Sequence, residues 1–445
     1  MEQTKLSFSE KLGYGVGDMA SNLIWTSAAT FLTFFYTDIV GFSAAAVGTL
    51  LLIARFFDAF VDIGVGVLVD KTRSKHGKAR PWLLWLAIPF GLSGVLLFTA
   101  PDLSTTGSLI YAYVTYLILN IIYSGANVPY GVLNSLITQD PYERSLLNIF
   151  RMLMAIFGAV LVSTMTVPIV NAFGGGKQGW MMTFTIYGAI AAVLFLITFR
   201  ATKERVKPAV AQNTVPLSGS LKALFRNKYW ALLVVFMILS FIMTSVNTAV
   251  NIYYAQYILG NAELMSVLGV ISFIPLLIGL LFVAPIIKRF GNRNSSLLGL
   301  AITILGATIT VIDPTSIKIV IIASVIKSLG GVPLAATMYA MLADTVDYGE
   351  WKTGMRTEGL IYSAGSFGSK AGSGLGAAIV GWMLAFGGYV GGQEHISESA
   401  RSSILFMYIY LPMIISALMV VILYFYKLDK QFPQIVKELE AAKNR

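Results

Sequence analysis

One apolar stretch, from Ala44 to Val69, carries Arg55, Asp58 and Asp62. It is long enough to cross a bilayer, which takes about 20 residues. Spacings of three and four put the three side chains on one helix face. Ionisable groups at membrane depth are costly, so they face a bundle interior or a wet cavity and mark function by default. Two carboxylates one turn apart in a low dielectric do not both ionise cheaply. Either one keeps its proton or a cation bridges them. Both outcomes describe a coupling-ion site, for H⁺ or Na⁺, with Asp58 and Asp62 as its carboxylates. The competing arrangement is a structural cluster in which Arg55 and Lys370 neutralise the two aspartates. Arg55 lies about 16 Å into its span, near the bilayer middle, and Lys370 and Lys327 reach similar depths in later spans.

Such groups need a bundle to hold them, and the composition supplies one. The chain has 445 residues, 56% hydrophobic and only 12% charged, and its mean hydropathy is +0.74. Soluble domains run near a quarter charged, so this is a polytopic all-α membrane protein. Apolar runs of near-spanning length recur twelve times, near 12–37, 44–69, 82–100, 107–136, 149–173, 179–199, 229–259, 264–287, 295–313, 317–342, 359–386 and 402–426.

The net charge of +10 is a topology signal rather than a nucleic-acid signal. With the N-terminus inside, 25 Lys and Arg fall in cytoplasmic segments, three on the other side (Lys177, Lys318, Arg401) and four within spans (Arg55, Arg151, Lys327, Lys370). That asymmetry places both termini in the cytoplasm of a cell (inner) membrane. The chain has no cysteine, which removes thiol chemistry and cysteine metal sites. The N-terminus lacks a cleavable h-region, so the first span reads as an uncleaved insertion signal.

Two groups of six spans flank a polar segment with Pro208, Pro216, Gly219 and seven basic residues. The expected organisation is a six-helix half over 1–199, a cytoplasmic linker over 200–228, a second half over 229–426 and a cytoplasmic amphipathic tail over 427–445. Six plus six is the layout of carriers built from repeats, with substrate held near the midplane between halves. Loops echo one another at matching positions: Asp140, Pro141, Glu143 and Arg144 after span 4, and Asp347, Gly349 and Glu350 after span 10. Span 11 is rich in glycine, from Gly359 to Gly381, as suits close helix packing or a moving element.

Other spans carry polar and aromatic residues at helical spacing. Span 1 has Asp18, Ser21, Asn22 and Trp25. Span 4 has Tyr123, Ser124, Asn127 and Tyr130. Span 7 has Asn247, Asn251, Tyr253 and Tyr254, and span 11 has Tyr362, Ser363, Ser366, Ser369 and Lys370. A lumen of hydroxyl, amide and aromatic groups suits a sugar, whose hydroxyls need paired donors and acceptors and whose apolar face stacks on rings. Ordinary interhelix hydrogen bonding explains any one of these residues equally well. His76 and His395 form no metal set. No P-loop and no nucleophile–base set is present, so neither ATP-driven transport nor enzyme chemistry is expected.

Several blocks together resemble the glycoside–pentoside–hexuronide:cation symporters of the major facilitator superfamily. They are Tyr14-Gly15-Val16-Gly17-Asp18 with Asn22, Phe35-Tyr36-Thr37-Asp38, the Arg55–Asp58–Asp62 block, Thr72 to Pro81, Asn127-Val128-Pro129-Tyr130 and Asp344 to Glu350. The resemblance covers essentially the whole chain. It implies the major facilitator fold of 12 transmembrane helices in two six-helix halves. By similarity to the melibiose-carrier type, Asp58, Asp62 and Ser124 would serve the cation. Asn22, Asn127, Arg151, Ser366 and Lys370 match sugar-site positions of that type; from their places in the spans, Trp25 and Tyr362 join the expected substrate site, with Arg55, Lys327 and Asp18 as expected electrostatic partners. Asn22 and Asn127 stand where that type has acidic sugar contacts, and Val61 replaces an asparagine of its sodium site. The first departure makes an anionic sugar plausible, and the second favours H⁺ over Na⁺. The block Thr357 to Ser363 with Ser366, Phe367 and Lys370, and the tail Leu428 to Phe432, look most like the glucuronide-carrier branch, and similar blocks occur in carriers of sulfonated sugars.

The expectation is a symporter, functional as a monomer and without a cofactor. It would import a sugar or glycoside (pentoside, galactoside or hexuronide class) with a cation by alternating access. The alternatives are a same-fold carrier for an amphiphile or a sulfonated sugar and, more remotely, a non-transporting sensor.

Overall fold

The structure, a computed structural model, describes residues 5–138, 140–206, 224, 226–354, 358–393 and 395–443. Among these residues there are helices and no strands. In a bilayer every backbone polar group must bond within its own segment or close a barrel, and the helix does this locally. The helices are α1 (Phe8–Phe34), α2 (Ala44–Lys71), α3 (Arg80–Leu97), α4 (Thr105–Ile137), α5 (Pro141–Ala172), α6 (Gly176–Ala201), α7 (Lys228–Tyr253), α8 (Leu264–Ile312), α9 (Ile317–Thr353), α10 (Glu358–Phe386), α11 (Glu398–Leu405), α12 (Leu411–Phe425) and α13 (Leu428–Lys443). α8 is broken at Gly291, whose φ of 77° is non-helical, so it contributes two spans. α11 and α12 are joined through a π-helical turn into one span. The described residues thus contain twelve spans in the order that hydropathy predicts.

Among the described residues, eight helical stretches qualify to cross a membrane by length and apolarity alone. α2 carries Arg55, Asp58 and Asp62 inside its span, and its 28 residues reach about 42 Å, beyond the hydrocarbon thickness of about 30 Å.

Two compact units result. The first is Met1–Val210 with Ala262–Val270 and Gly388–Ile396; the second is Ala211–Asn261, Ile271–Gly387 and Ser397–Arg445. Most of the linker expected at 200–228 lies outside the described residues.

Each unit opens with the same device. α1 ends in a π-helical turn, Phe35–Ile39, and α7 ends in another, Tyr254–Ile258. In the first, Val40 N donates to Phe35 O and Phe42 N to Tyr36 O; in the second, Leu259 N donates to Tyr254 O and Asn261 N to Ala255 O. Gly41 (φ 85°) and Gly260 (φ 77°) close the two turns in the left-handed region, which glycine enters without a Cβ penalty.

Capping follows the local sequence. Ser7, Ser43 and Ser104 accept from the backbone N–H three residues on at the starts of α1, α2 and α4, as N-caps do. α3 has only Ala79 at that position, and its cap comes from elsewhere in the chain. The Glu204 carboxylate accepts from the backbone N–H groups of Lys78, Ala79 and Arg80 at 2.8, 2.8 and 2.9 Å. α3 and α6 meet at Gly91 and Gly188, where a Cβ on either would stand 2.4–2.6 Å from the carbonyl oxygen of the other. Small residues are what permit such an approach.

Candidate functional site

The first unit assembles most of the charged and polar residues singled out above. α2 packs on α4, and this sets Asp58, 1% exposed, against Ser124, also 1% exposed. The Ser124 hydroxyl donates to Asp58 Oδ1 at 2.9 Å. Hydrogen bonds to a charged group are roughly twice as strong as neutral ones. Asp62, one turn further along α2, is half-buried. The side chain of Ala59 between them is outside the described ones.

Arg55 points elsewhere. Its guanidinium lies 4.1 Å above the Trp25 ring of α1, although the spacing of three had paired it with Asp58. Trp25 in turn stacks on Tyr123 of α4, with centroids 3.8 Å apart and planes 10° off parallel. Arg55, Trp25 and Tyr123 thus form a layered column across α2, α1 and α4. A guanidinium over an indole face gains about 0.5–2 kcal/mol, more where water is excluded. Tyr123 also accepts from Asn127 Nδ2 at 2.6 Å, one turn along α4.

A second charged pair lies along α1 and α5. Arg151 Nε donates to Asp18 Oδ2 at 3.0 Å, with side chains 29% and 14% exposed. The same guanidinium sits 4.9 Å above Tyr130. Tyr130 and Tyr14 stack at 4.7 Å and exchange hydrogen bonds, each hydroxyl donating to the other's carbonyl. Gly17 makes room, since a Cβ there would stand 2.7 Å from the Tyr130 ring. Asn22, between the two groups, donates from Nδ2 to the Asp18 carbonyl at 2.8 Å and accepts at Oδ1 from Thr26 at 2.8 Å. The structure therefore brings together Asp18, Asn22, Trp25, Arg55, Asp58, Ser124, Asn127 and Arg151 within one unit.

The other candidates belong to the second unit. Lys327 lies with its ammonium 3.9 Å from the Tyr408 ring centroid. Among the described residues no carboxylate lies within 4 Å of it. Tyr408 stacks on Tyr254 at 3.7 Å and shares a hydrogen bond with Ser324 at 3.0 Å. The partner of Lys327 is thus an aromatic nook rather than an acid. On α10, Ser366 is exposed and Lys370 half-buried. The Ser366 carbonyl accepts from the Ser369 hydroxyl at 2.7 Å. The side chain of Tyr362 lies outside the described ones.

Two residues have a more central place than their sequence signal suggested. Tyr123 joins the Arg55–Trp25 column to Asn127, and Thr26 holds the Asn22 amide. The signal for Tyr123 was its spacing of four from Asn127 in a span that also holds Ser124. Thr26 had none, since a threonine in a helix usually bonds its own backbone. Chemically, the first unit offers a buried carboxylate with a hydroxyl on it, a half-buried carboxylate one turn away, and an aromatic and amide wall. Among the described residues no group of three or more His, Cys, Asp or Glu is placed to hold a metal ion.

Comparison with known proteins agrees with this architecture. Residues 13–430 match the family model for MFS/sugar transport proteins. The chain is 36% identical over 446 residues to the isoprimeverose transporter of Lactiplantibacillus pentosus, covering 99% of this chain and 93% of that one. It is 35% identical over 451 residues to the glucuronide carrier protein homolog of Escherichia coli strain K12, covering 99% and 97%. Among solved structures, the D-xylose–proton symporter superposes with a TM-score of 0.62 at 15% identity over 93% of this chain and 97% of that one, a likeness of fold. With a match over nearly its whole length and relatives above 30% identity along both chains, this protein is a multi-pass membrane transporter, not an enzyme, and belongs to the glycoside–pentoside–hexuronide:cation symporters of the major facilitator superfamily.

Proposed function

We propose that the protein is a secondary active symporter that imports a neutral sugar or glycoside, of pentoside class, together with a cation, H⁺ rather than Na⁺. Asp58 and Asp62 bind the coupling ion, with the Ser124 hydroxyl on Asp58 as the third group of the site. The observation that carries this reading is the buried Ser124–Asp58 hydrogen bond one helical turn from Asp62 and beside the Arg55–Trp25–Tyr123 column. Ion and sugar then share helices α2 and α4, so occupancy of one site biases the other, and the coupling is reciprocal.

Arg151 is paired with Asp18, while Arg55 over Trp25 and Lys327 over Tyr408 keep their charge in cation–π contacts, so the neutral class rests on the amides, the rings and the relative named below. The amides of Asn22 and Asn127 suit a neutral ring, with the Trp25–Tyr123 stack as an apolar wall beside them. A relative at 36% identity whose name gives isoprimeverose as its cargo supports the pentoside class. Val61, beside Asp62, supplies no oxygen ligand, which favours H⁺ over Na⁺ because sodium needs several oxygens. We further infer a cell-membrane location with both termini cytoplasmic, from the Lys and Arg asymmetry, and function as a monomer.

Uptake into proteoliposomes tests the reading. A neutral pentoside and a hexuronide are offered under an imposed pH gradient and, separately, an imposed Na⁺ gradient. Accumulation of the pentoside under the pH gradient alone is expected. Accumulation of either sugar without any gradient sinks the proposal.

A further inference from the structure

A cavity lies in the first unit, at the end of α1 opposite the N-terminus. It has a volume of about 250 Å³, and its wall includes Tyr36, Phe42, Thr99, Asp102, Tyr111 and Lys177. These come from the π-helical turn after α1, the α3–α4 loop, the first turns of α4 and the start of α6. None belongs to the cation or sugar site proposed above.

The cavity stands on a rigid base. Three wall residues are chain neighbours of buried aromatics, or lie one turn from them: Tyr36 follows Phe35, Thr99 follows Phe98, and Lys177 precedes Trp180 by three. Phe98 stacks on Phe184 at 3.6 Å and on Trp180 at 5.7 Å, and Phe35 closes the cluster at 5.2 Å from Phe98 and 5.6 Å from Trp180. Phe35, Phe98 and Phe184 are fully buried. A packed aromatic floor of this kind holds its wall in place before any ligand arrives, which lowers the ordering cost of binding.

The wall chemistry is mixed and nearly neutral. Lys177 Nζ donates to Asp102 Oδ1 at 2.9 Å, with side chains 49% and 96% exposed. That bond and the ammonium charge hold the Asp102 carboxyl below the usual carboxylate range. The carboxylate stays an acceptor, and among the described residues its second oxygen has no protein donor. Thr99 and Tyr111 spend their protons on the carbonyls of Val95 and Leu96 at 2.7 and 2.8 Å, so both present acceptor oxygens. The Tyr36 hydroxyl is buried, with Thr115 as its polar neighbour. One cation, one anion, several acceptors and three aromatic rings do not suit a charged ligand. They suit a polyhydroxyl ring, which donates to carboxylate and hydroxyl oxygens and lays its C–H face on tyrosine or phenylalanine. The volume lies just below the range of about 300–1,000 Å³ typical of drug-sized ligands, so it takes a single ring.

We propose that this cavity is a peripheral saccharide subsite that receives one neutral pyranose ring at the mouth of the first unit, apart from the central site. The sugar class rests on the proposed function, and the site itself rests on the cavity. It captures sugar at low concentration and raises its local supply.

The test uses the full-length protein in lipid nanodiscs, with radiolabelled methyl β-D-xylopyranoside as the probe. Equilibrium dialysis gives the stoichiometry, and the fluorescence of Trp180, one turn from Lys177 and one of seven tryptophans, taken as the difference from a Trp180→Phe protein, reports occupancy. Wild type is expected to bind two equivalents. The double variant Asp102→Asn/Lys177→Gln and the cavity-filling variant Ser108→Trp are each expected to bind one, with the Trp180 response lost. In proteoliposomes the double variant is expected to raise the half-saturating sugar concentration about tenfold at unchanged maximal rate. These substitutions are at exposed or half-exposed positions, and size-exclusion profiles check the fold. One equivalent in wild type, or two in both variants, overturns the subsite. Displacement of the Trp180 response by glycine betaine but not by the xyloside also overturns it, in favour of a zwitterion site. Uptake that fails while two-equivalent binding persists sinks the transport reading and leaves the subsite standing. Uptake that succeeds with unaltered one-equivalent binding does the reverse.

Discussion

Replacing Ser124 with alanine removes a single hydroxyl from the buried Asp58 carboxylate. The lost bond is 2.9 Å long, and both partners are 1% exposed. A hydrogen bond to a charged group is worth about 1.5–3 kcal/mol, and an unsatisfied buried acceptor bears its full desolvation cost. At about 1.4 kcal/mol per decade, the apparent affinity for the coupling ion moves about 10- to 150-fold. The direction identifies the ion. The hydroxyl supports Asp58 only while the carboxylate is charged. If the ion is H⁺, its loss favours the protonated site, and half-maximal uptake shifts to higher pH. If the ion is Na⁺, the hydroxyl oxygen is also lost as a ligand, and more Na⁺ is needed. The assay is initial-rate uptake of a labelled pentoside into proteoliposomes across a pH series and a Na⁺ series. Maximal rate is expected to fall by less than the affinity moves. An Ser124→Ala protein with wild-type dependence on both ions refutes the assignment of Ser124 and Asp58 to the cation.

Four further outcomes follow from the geometry. Trp25→Leu removes the layer between Arg55 and Tyr123, and half-saturating sugar is expected to rise at least about tenfold, an aromatic contact of about 0.5–1.5 kcal/mol adding to the lost area; the cation dependence stays put. Arg151→Gln leaves Asp18 with an uncompensated charge and is expected to destabilise by about 3 kcal/mol, read as the thermal midpoint in detergent, while the Asp18→Asn/Arg151→Gln pair recovers most of it, as a double-mutant cycle should show. Glu204→Ala strips three backbone donors at the start of α3, and a loss of about 2–4 kcal/mol is expected in the same assay. The Asp102 carboxyl sits lower when folded than its ordinary value near 3.8, so its contribution is present above that value and is lost as pH falls through the folded one; xyloside binding at the peripheral cavity is therefore expected to be flat between pH 5 and 8.

The bilayer makes much of this fold legible in one dimension. A span must be apolar for about 20 residues and must bond its own backbone, so hydropathy alone yields the twelve segments. The face bearing Asp58 and Asp62 is likewise set by helical period. Partner choice is not. The spacing of three pairs Arg55 with Asp58, but the Trp25 indole of α1 lies within reach, and the guanidinium sits over its ring. Arg151 reads as an available cation until α5 brings it to Asp18, 133 residues away. The α3 cap is invisible to any local rule, because its carboxylate comes from residue 204. Segments 262–270 and 388–396 are too short to carry a periodic signal, and their place in the first unit is decided by what they pack on. Asp38 accepts from the Tyr389 hydroxyl at 2.6 Å and from Gly392 N at 3.2 Å, contacts that no spacing announces.

The central claim is that Asp58 and Asp62 carry the coupling ion. Its most direct test compares two modes of sugar movement in Asp62→Asn proteoliposomes: accumulation driven by an imposed ion gradient, and exchange of labelled for unlabelled pentoside at equal concentration on both sides. Accumulation is expected to disappear while exchange survives at a measurable rate. Accumulation by Asp62→Asn to the wild-type level would contradict it.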